Sequence, residues 1–418
     1  MLITTASSHR RRLPGGRPFH LLLTALAASS CGDFLYNVAL LALVFGRTGS
    51  AAWVALTTAA RVLPIVVLGP LGGVLADRVD RRTLMVGADA VRVLVMVALA
   101  IVAAAGLPIV LAPVLAALAT AAGTVTPPCV AACTARLVND AELQRANALR
   151  AAIGQGAVVA GPALGAVVLA VSDPAVAILL NALTFVVSAA AVLAIAPGPE
   201  FAPRPRSASE APSLMRDLKA GAQALRGAPT AVRLVAADVV GSGVYGLLTV
   251  LLVLVSRQVG AGDGGYGILL GGFGAGGLIG AAIMSRADAP ATWRRTLAVA
   301  LLLVATSMAA LGQSTSIVQA LVLAVLGGGG MIVGEVLSET ALPRMLDDEV
   351  LARAYGLALP VSLGGIVIGS LAAGPLVSLF GLHGAFAAAG GFVALSAALL
   401  LRRPLAVAPA AAPVVPAH

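Results

Sequence analysis

The chain has 418 residues, of which 59% are hydrophobic and only 11% are charged, and it carries a formal net charge of +9. Soluble domains carry about 25% charged residues, so this composition excludes a soluble globular enzyme and a disordered chain. It predicts a polytopic helical membrane protein, in which the basic charge must be explained by its position relative to the bilayer.

Long runs without Asp, Glu, Lys or Arg locate the predicted membrane helices. Residues 93–135, 296–334 and 354–401 carry none of these four residue types. Each run is long enough for two spans of about 20 residues. The predicted spans are 19–46, 50–76, 83–105, 107–133, 143–172, 174–196, 230–256, 262–285, 293–312, 314–341, 351–380 and 382–401. The sequence therefore predicts an all-α membrane protein with twelve transmembrane helices.

The basic residues are distributed asymmetrically over the loops that join these spans. With twelve spans, the side that holds both termini collects 22 Lys and Arg, whereas the other side holds only Arg47 and Arg257. Cytoplasmic loops of membrane proteins carry such an excess, so we expect both termini in the cytoplasm. The positive charge is then a matter of topology, and a nucleic-acid partner is not expected.

The longest loop divides the chain into two halves that share a repeat. It is rich in proline and contains a predicted amphipathic helix at 214–225. The predicted parts are a tail (1–18), a six-helix bundle (19–196), the central loop (197–229), a second six-helix bundle (230–401) and a second tail (402–418). Residues 137–149 align with 345–357 at an offset of 208, and five aligned positions are identical. Two parallel, pseudo-symmetric halves around a central pathway are one architecture of secondary transporters.

The end of span two carries a glycine-rich stretch followed by a charged turn. Glycines at small spacing allow helices to pack closely. The residues Gly73, Asp77, Arg78, Arg81 and Arg82 match the loop 2–3 signature G-x-x-x-D-R-x-G-R-R of the major facilitator superfamily, with Asp80 in place of a glycine. The chain thus resembles that superfamily. The resemblance implies a latch that closes the cytoplasmic side, whereas ordinary anchoring charges are the alternative.

Span five contains a second motif, in which Gly161-Pro162 is followed by Gly165. It resembles the antiporter signature of drug exporters, and span eleven has its own Gly374-Pro375. Gly-Pro gives a helix a bend and a flat packing face, so a kinked, close-packed helix is the simpler alternative. Together with shorter matches in spans one to three, the chain is similar to the macrolide, siderophore and drug exporter branches of the superfamily.

Ionisable residues inside the spans are the candidates for coupling, because buried charge in a membrane is costly and usually functional. Asp33 lies near the midpoint of span one and Arg61 near that of span two, so the two could pair. We expect Asp33 to take up a proton or a substrate cation, with a static pair that fixes helix register as the alternative. Asp238 is the second candidate, and Tyr36 and Gln155 are candidates for the cavity wall.

A further set of charges lies in the cytoplasmic halves of the spans. Asp89 and Arg92 share one face of span three at i and i+3. Arg150 lies in span five, and Glu335 and Glu339 lie at i and i+4 in span ten. With Asp77, these residues predict an inner gate of breakable ion pairs.

The sequence offers little chemistry for an enzyme. It has no phosphate-binding loop, no histidine metal motif and no nucleophile set, so we expect no cofactor and no metal, and a proton gradient as the energy source. The sequence predicts a monomeric exporter of a small amphipathic molecule in a bacterial inner membrane, with the lipid bilayer and the transported molecule as its only partners. An importer or facilitator, or a receptor or scaffold on the same fold, remains an alternative.

Overall fold

The computed structural model describes residues 15–203, 229–284, 293–341 and 348–402. Within these ranges the regular structure is helical. The helices are α1 Arg17–Thr48, α2 Ala51–Arg78, α3 Arg81–Ala104, α4 Leu111–Gly123, α5 Thr126–Leu137, α6 Asp140–Val171, α7 Pro174–Leu193, α8 Pro229–Gln258, α9 Gly262–Met284, α10 Trp293–Leu311, α11 Ile317–Ala341 and α12 Asp348–Leu401. The predicted amphipathic helix at 214–225 lies outside the described residues.

Length and hydropathy make ten segments of the described chain candidates for crossing a membrane. Helices α4 and α5 together form one such segment, Leu111–Leu137, and Arg295–Leu311 of α10 is apolar but shorter. Helix α12 covers two predicted spans, because its backbone breaks at Gly381, where φ is 67° and ψ is 178°. This left-handed φ is readily adopted only by glycine, and it lies at the predicted boundary. The prediction of an all-helical membrane protein is confirmed, whereas the count of twelve spans stays a prediction.

Two helices begin at an aspartate that caps them. The Asp80 carboxylate accepts a hydrogen bond of 2.9 Å from the Thr83 amide and so caps α3. Asp80 is the residue that departs from the superfamily signature, and capping gives it a structural role there. Asp173 likewise caps α7 ahead of Pro174. In the repeat, Asp140 begins α6 and Asp348 begins α12, so the two aligned segments start corresponding helices.

The two halves, α1–α7 and α8–α12, touch at one end of the molecule. Arg257 lies over the Phe45 ring, with its Cζ 5.9 Å from the ring centroid. An added Cβ at Gly374 would lie 3.3 Å from the Ala52 Cα. Most arginines lie in the loops at one end of the molecule, which we call the arginine-rich end. The four positions named above lie at the other end, which we call the opposite end.

The contact between α6 and α9 shows how far along these helices the two halves touch. Added Cβ atoms at Gly264 and Gly274 of α9 would each lie 3.1 Å from a carbonyl oxygen of α6, at Ala166 and at Val158. Residues 158–166 belong to the half of α6 nearer the opposite end, whereas Gln144, Arg145 and other side chains in its first turns are exposed. Among the described residues, these contacts between the halves therefore lie toward the opposite end.

Candidate functional site

A cluster of buried charges lies within the first half. Arg92 donates a hydrogen bond of 2.5 Å from Nη2 to Oδ2 of Asp33. Its Nη1 lies 3.8 Å from Oδ1 of Asp89. The guanidinium also stacks on Phe185, with Cζ 3.8 Å from the ring centroid. Asp89 is 3% exposed, but 34% of the Asp33 side chain is exposed. One guanidinium thus serves two carboxylates, of which Asp33 is the accessible one.

Close helix packing positions this cluster. An added Cβ at Gly32 would collide with the Asn181 and Thr184 side chains, so only glycine lets α1 approach α7 there. The next residue, Asp33, then reaches α3. An added Cβ at Gly123 of α4 would lie 3.4 Å from Cζ of Arg92, so α4 encloses the guanidinium from another side. Arg92 is consequently buried and held in one place.

The predicted pairing of Asp33 with Arg61 is wrong. Arg61 donates from Nε to the Tyr36 hydroxyl at 2.9 Å and from Nη1 to Oδ1 of Asn37. Its Cζ also lies 4.9 Å from the centroid of the Tyr36 ring. Tyr36 and Asn37 lie one turn beyond Asp33, about 5 Å along α1. Arg61 therefore meets α1 one turn nearer the opposite end, and Arg92, which we placed in the inner gate, is the partner of Asp33.

At the arginine-rich end, two signature arginines, Arg81 and Arg82, and a third arginine, Arg136, bind within the first half. Arg81 is 1% exposed; it lies 3.5 Å from Asp77 and donates to the Ala202 carbonyl at 2.9 Å. Arg82 donates to the Leu193 carbonyl at 2.7 Å. Arg136 donates to the carbonyls of Pro199, Glu200 and Ala202 at 2.8–3.1 Å. These arginines hold the end of α7 and the residues that follow it, as far as Ala202, against α3 and α5.

Phe201 anchors the same segment through apolar contacts. Its side chain is 1% exposed and packs in a cluster that includes Met85, Cys129 and Cys133. The main-chain amide of Arg81 donates to the Phe201 carbonyl at 3.0 Å. The beginning of the central loop is thus part of the first half.

The glycines of the two motifs differ in what they contact. An added Cβ at Gly72 would lie 2.6 Å from the Thr124 carbonyl oxygen, whereas one at Gly73 would meet nothing within 4 Å. The close approach of α2 to α4 therefore depends on Gly72, not on the signature glycine. Arg78, the last residue of α2, is exposed.

The Gly-Pro motifs lie at packing seams. Added Cβ atoms at Gly161 and Gly165 would lie 2.8 and 2.9 Å from carbonyl oxygens of α1. Pro162 lies inside α6, and Pro375 lies inside α12 after Gly374. The first motif packs α6 on α1 within one half, and the second faces α2 across the two halves.

A cavity of about 280 Å³ lies in the second half and is bordered by α6. We call it the second-half cavity; its lining includes Gln155, Asp238, Tyr245, Phe273 and Glu335. Asp238 accepts a hydrogen bond from the Ser362 hydroxyl. Three predicted candidates, Gln155, Asp238 and Glu335, therefore meet at one cavity, although they come from three different helices.

Two predicted gate residues, Arg150 and Glu339, are not found in these clusters. Arg150 donates to Oδ1 of Asn147 one turn earlier in α6, at 3.1 Å. Glu339 belongs to α11, but its side chain lies outside the described residues. In the part of the chain that the structure describes, no three His, Cys, Asp or Glu side chains come together as a metal site.

Comparisons with known proteins agree with this architecture. The family model described as "Transmembrane secretion effector" matches residues 16–417. The uncharacterized MFS-type transporter YfiS of Bacillus subtilis (strain 168) is 28% identical over 240 residues, which cover 57% of this chain and 54% of that protein. The match thus spans about half the length of this relative.

Several solved transporter structures have similar folds. A bacterial homologue of the human lysosomal transporter Spinster, inward-facing and unoccupied, has a TM-score of 0.70 and 13% identity over 92% of this chain and 96% of that chain. A POT family transporter in complex with a thioalcohol-conjugated peptide has a TM-score of 0.72 and 12% identity over 92% and 95%. The nucleoside transporter NupG has a TM-score of 0.71 and 10% identity over 92% and 98%. At these identities the likeness concerns the fold alone.

Proposed function

Because the chain belongs to the transmembrane secretion effectors, a family of major facilitator transporters rather than enzymes, we propose that it exports a small amphipathic molecule in exchange for protons. The family description favours secretion over uptake. Peptide and nucleoside transporters share the fold, so the fold does not select the cargo.

The observation that carries the proposal is the cluster of Asp33, Asp89 and Arg92. Two carboxylates face one guanidinium, and uncompensated charge inside a membrane is costly. A proton on Asp33 would balance the cluster and release Arg92 from its short hydrogen bond. Asp33 is the partly exposed carboxylate, so it is the one that can exchange a proton with the cleft.

We also propose a place for this state in a transport cycle, in which contacts toward the opposite end leave a cleft between the halves open at the arginine-rich end. With both termini in the cytoplasm, the arginine-rich end is cytoplasmic, and the cleft between the halves opens inward. We propose that Asp33 has released its proton in this state and pairs with Arg92. Opening toward the outside would let a proton return to Asp33 and would break the pair, while Asp77, Arg78, Arg81 and Arg82 would help to close the cytoplasmic side.

The proposed topology counts twelve spans. It adds Arg295–Leu311 to the ten candidate segments and divides the segment Pro360–Leu401 at Gly381. The protein would lie as a monomer in the inner membrane of a bacterium, with the lipid bilayer around it and its cargo as its ligand.

Efflux from intact cells tests this proposal. Cells that produce the wild type, Asp33→Asn or Asp173→Asn are loaded with a panel of lipophilic dyes and antibiotics, with and without a protonophore. Asp173→Asn is the matched control, because asparagine also caps helices well. We expect protonophore-sensitive export by the wild type and the control, and its loss in Asp33→Asn. Protonophore-sensitive export that survives in Asp33→Asn would remove Asp33 from the mechanism, and net accumulation in cells would indicate import.

A further inference from the structure

The second-half cavity has the size and lining of a small-molecule site. Its volume of about 280 Å³ is close to the lower end of the range for ligand pockets, about 300–1,000 Å³. Most of its described lining is apolar, and its polar groups are few. It lies away from the Asp33 cluster, which belongs to α1 and α3, so a molecule in it would not need to displace Arg92.

The charged side chains in the described lining of this cavity are acidic. Asp238 and Glu335 are acidic, and the described lining contains no Lys, Arg or His. The Ser362 hydroxyl donates to Oδ2 of Asp238, which fixes the orientation of the carboxylate without neutralising it. Opposite charges attract strongly where water is scarce, so the Asp238 carboxylate favours a cation over a neutral molecule and disfavours an anion.

The cavity also has two distinguishable ends. Asp238 and Tyr245 are seven residues apart on α8, which places them on one face about 10 Å apart along the axis. At the Tyr245 end, its ring and that of Phe273 lie 6.0 Å apart at 43°. An aromatic body fits near Tyr245 and Phe273, and a cationic group fits near Asp238.

We propose that the second-half cavity binds a lipophilic monocation whose aromatic body packs near Tyr245 and Phe273 and whose protonated amine pairs with Asp238. This assignment rests on the proposed export function and names its cargo class. It also gives the two halves different roles. Asp33 carries the proton in the first half, and Asp238 holds the cargo in the second, instead of serving as a second proton site.

Equilibrium binding tests the assignment without any proton gradient. The full-length protein is placed in lipid nanodiscs and titrated with three probes that share one ring system and chain: 4-(1-naphthyl)butylamine, 4-(1-naphthyl)butan-1-ol and 4-(1-naphthyl)butyrate. Empty nanodiscs correct for partition into lipid. We expect the wild type to bind the amine at least about tenfold more tightly than the butyrate, which corresponds to about 1.4 kcal/mol.

Matched variants test which side chain causes the preference for the amine. Asp238→Asn should remove most of the preference for the amine over the alcohol, whereas Asp238→Glu and the control Asp173→Asn should keep it. Phe273→Leu should weaken all three probes and leave their ratios unchanged. Should Asp238→Asn fail to fold, Glu335→Gln gives a second charge measurement, in which the ratio of amine to butyrate should fall.

The outcomes separate this inference from the proposed function. Equal or undetectable binding of the amine and the butyrate to the wild type would overturn the cation site. A preference that is undiminished in Asp238→Asn, or in Glu335→Gln where only that variant folds, would also overturn it. An Asp238-dependent preference without protonophore-sensitive export would leave the cation site standing and contradict the proton-coupled function.

Discussion

Replacing Arg92 by glutamine removes the single guanidinium that faces both Asp33 and Asp89. Removal of one partner from a buried ion pair costs about 3–5 kcal/mol, because the other charge stays buried without compensation. Asp89 is 3% exposed and bears most of this cost, whereas Asp33 is 34% exposed and can be solvated. Loss of the stacking on Phe185 adds to it. We therefore expect Arg92→Gln to lose about 3–5 kcal/mol of stability.

The buried cysteines provide the assay. Cys129 and Cys133 are both 0% exposed, so a thiol-reactive dye labels them only when the first half unfolds. Cys31 is only partly buried and is replaced by alanine in every variant to lower the background. A change of 1 kcal/mol shifts the melting temperature of a 150–250-residue domain by about 2–4 °C. Arg92→Gln should therefore melt about 6–20 °C below its parent, from the same scaling.

Second substitutions test the reasoning behind this magnitude. If uncompensated carboxylates cause the loss, Asp89→Asn in the Arg92→Gln background should recover part of the melting temperature. Residues that share one ion-pair network show interaction energies of about 0.5–3 kcal/mol in a double-mutant cycle. A melting temperature for Arg92→Gln within about 2 °C of the parent, less than 1 kcal/mol, would refute the account. Strict additivity with both Asp33→Asn and Asp89→Asn would refute it as well.

Two further predictions concern thermal stability. The first uses the same thiol assay, and the second concerns the half without cysteines, so it follows the loss of helical circular dichroism on heating. Phe201→Ala should lower the free energy of unfolding by about 3–5 kcal/mol, as truncation of a buried phenylalanine does. Phe380→Ala, at a position that is 61% exposed, should change it little. Equal effects of the two substitutions would contradict the anchoring of the central loop. Gly369→Ala should destabilise the second half, because its added Cβ would collide with the Gly243 carbonyl. At Gly364 an added Cβ meets nothing within 4 Å, so Gly364→Ala should leave the stability unchanged or raise it by up to about 1 kcal/mol. A Gly364→Ala variant that is less stable than Gly369→Ala would refute the close contact of α12 with α8.

Most of the helices could be predicted from the sequence because apolar runs and several boundaries leave a local trace. Charge-free runs mark apolar segments, and the break inside 354–401 was expected at Gly381, where the backbone adopts φ 67°. The cap at Asp80 needs only the residues that follow it. These features depend on neighbours within a few positions, so the residue order contains them.

The partners within the site could not be predicted in the same way. Arg61 and Arg92 are both arginines inside a span, and the choice between them depends on the level at which α2 and α3 cross α1. Helices that are apolar on all faces give no periodicity from which to read rotation or level. The hydrogen bond from Ser362 to Asp238 joins residues 124 positions apart, and Ser362 has no distinguishing local motif. Only packing reveals such contacts.

Transport by the purified protein tests most directly whether a proton on Asp33 drives export. Proteoliposomes with an acidic lumen and a neutral exterior are given external ethidium, an aromatic monocation, and its accumulation is followed with and without nigericin. We expect the wild type to accumulate ethidium only while the proton gradient lasts, and Asp33→Asn to accumulate none. Accumulation by the wild type that nigericin does not abolish, or gradient-driven accumulation by Asp33→Asn, would contradict the mechanism.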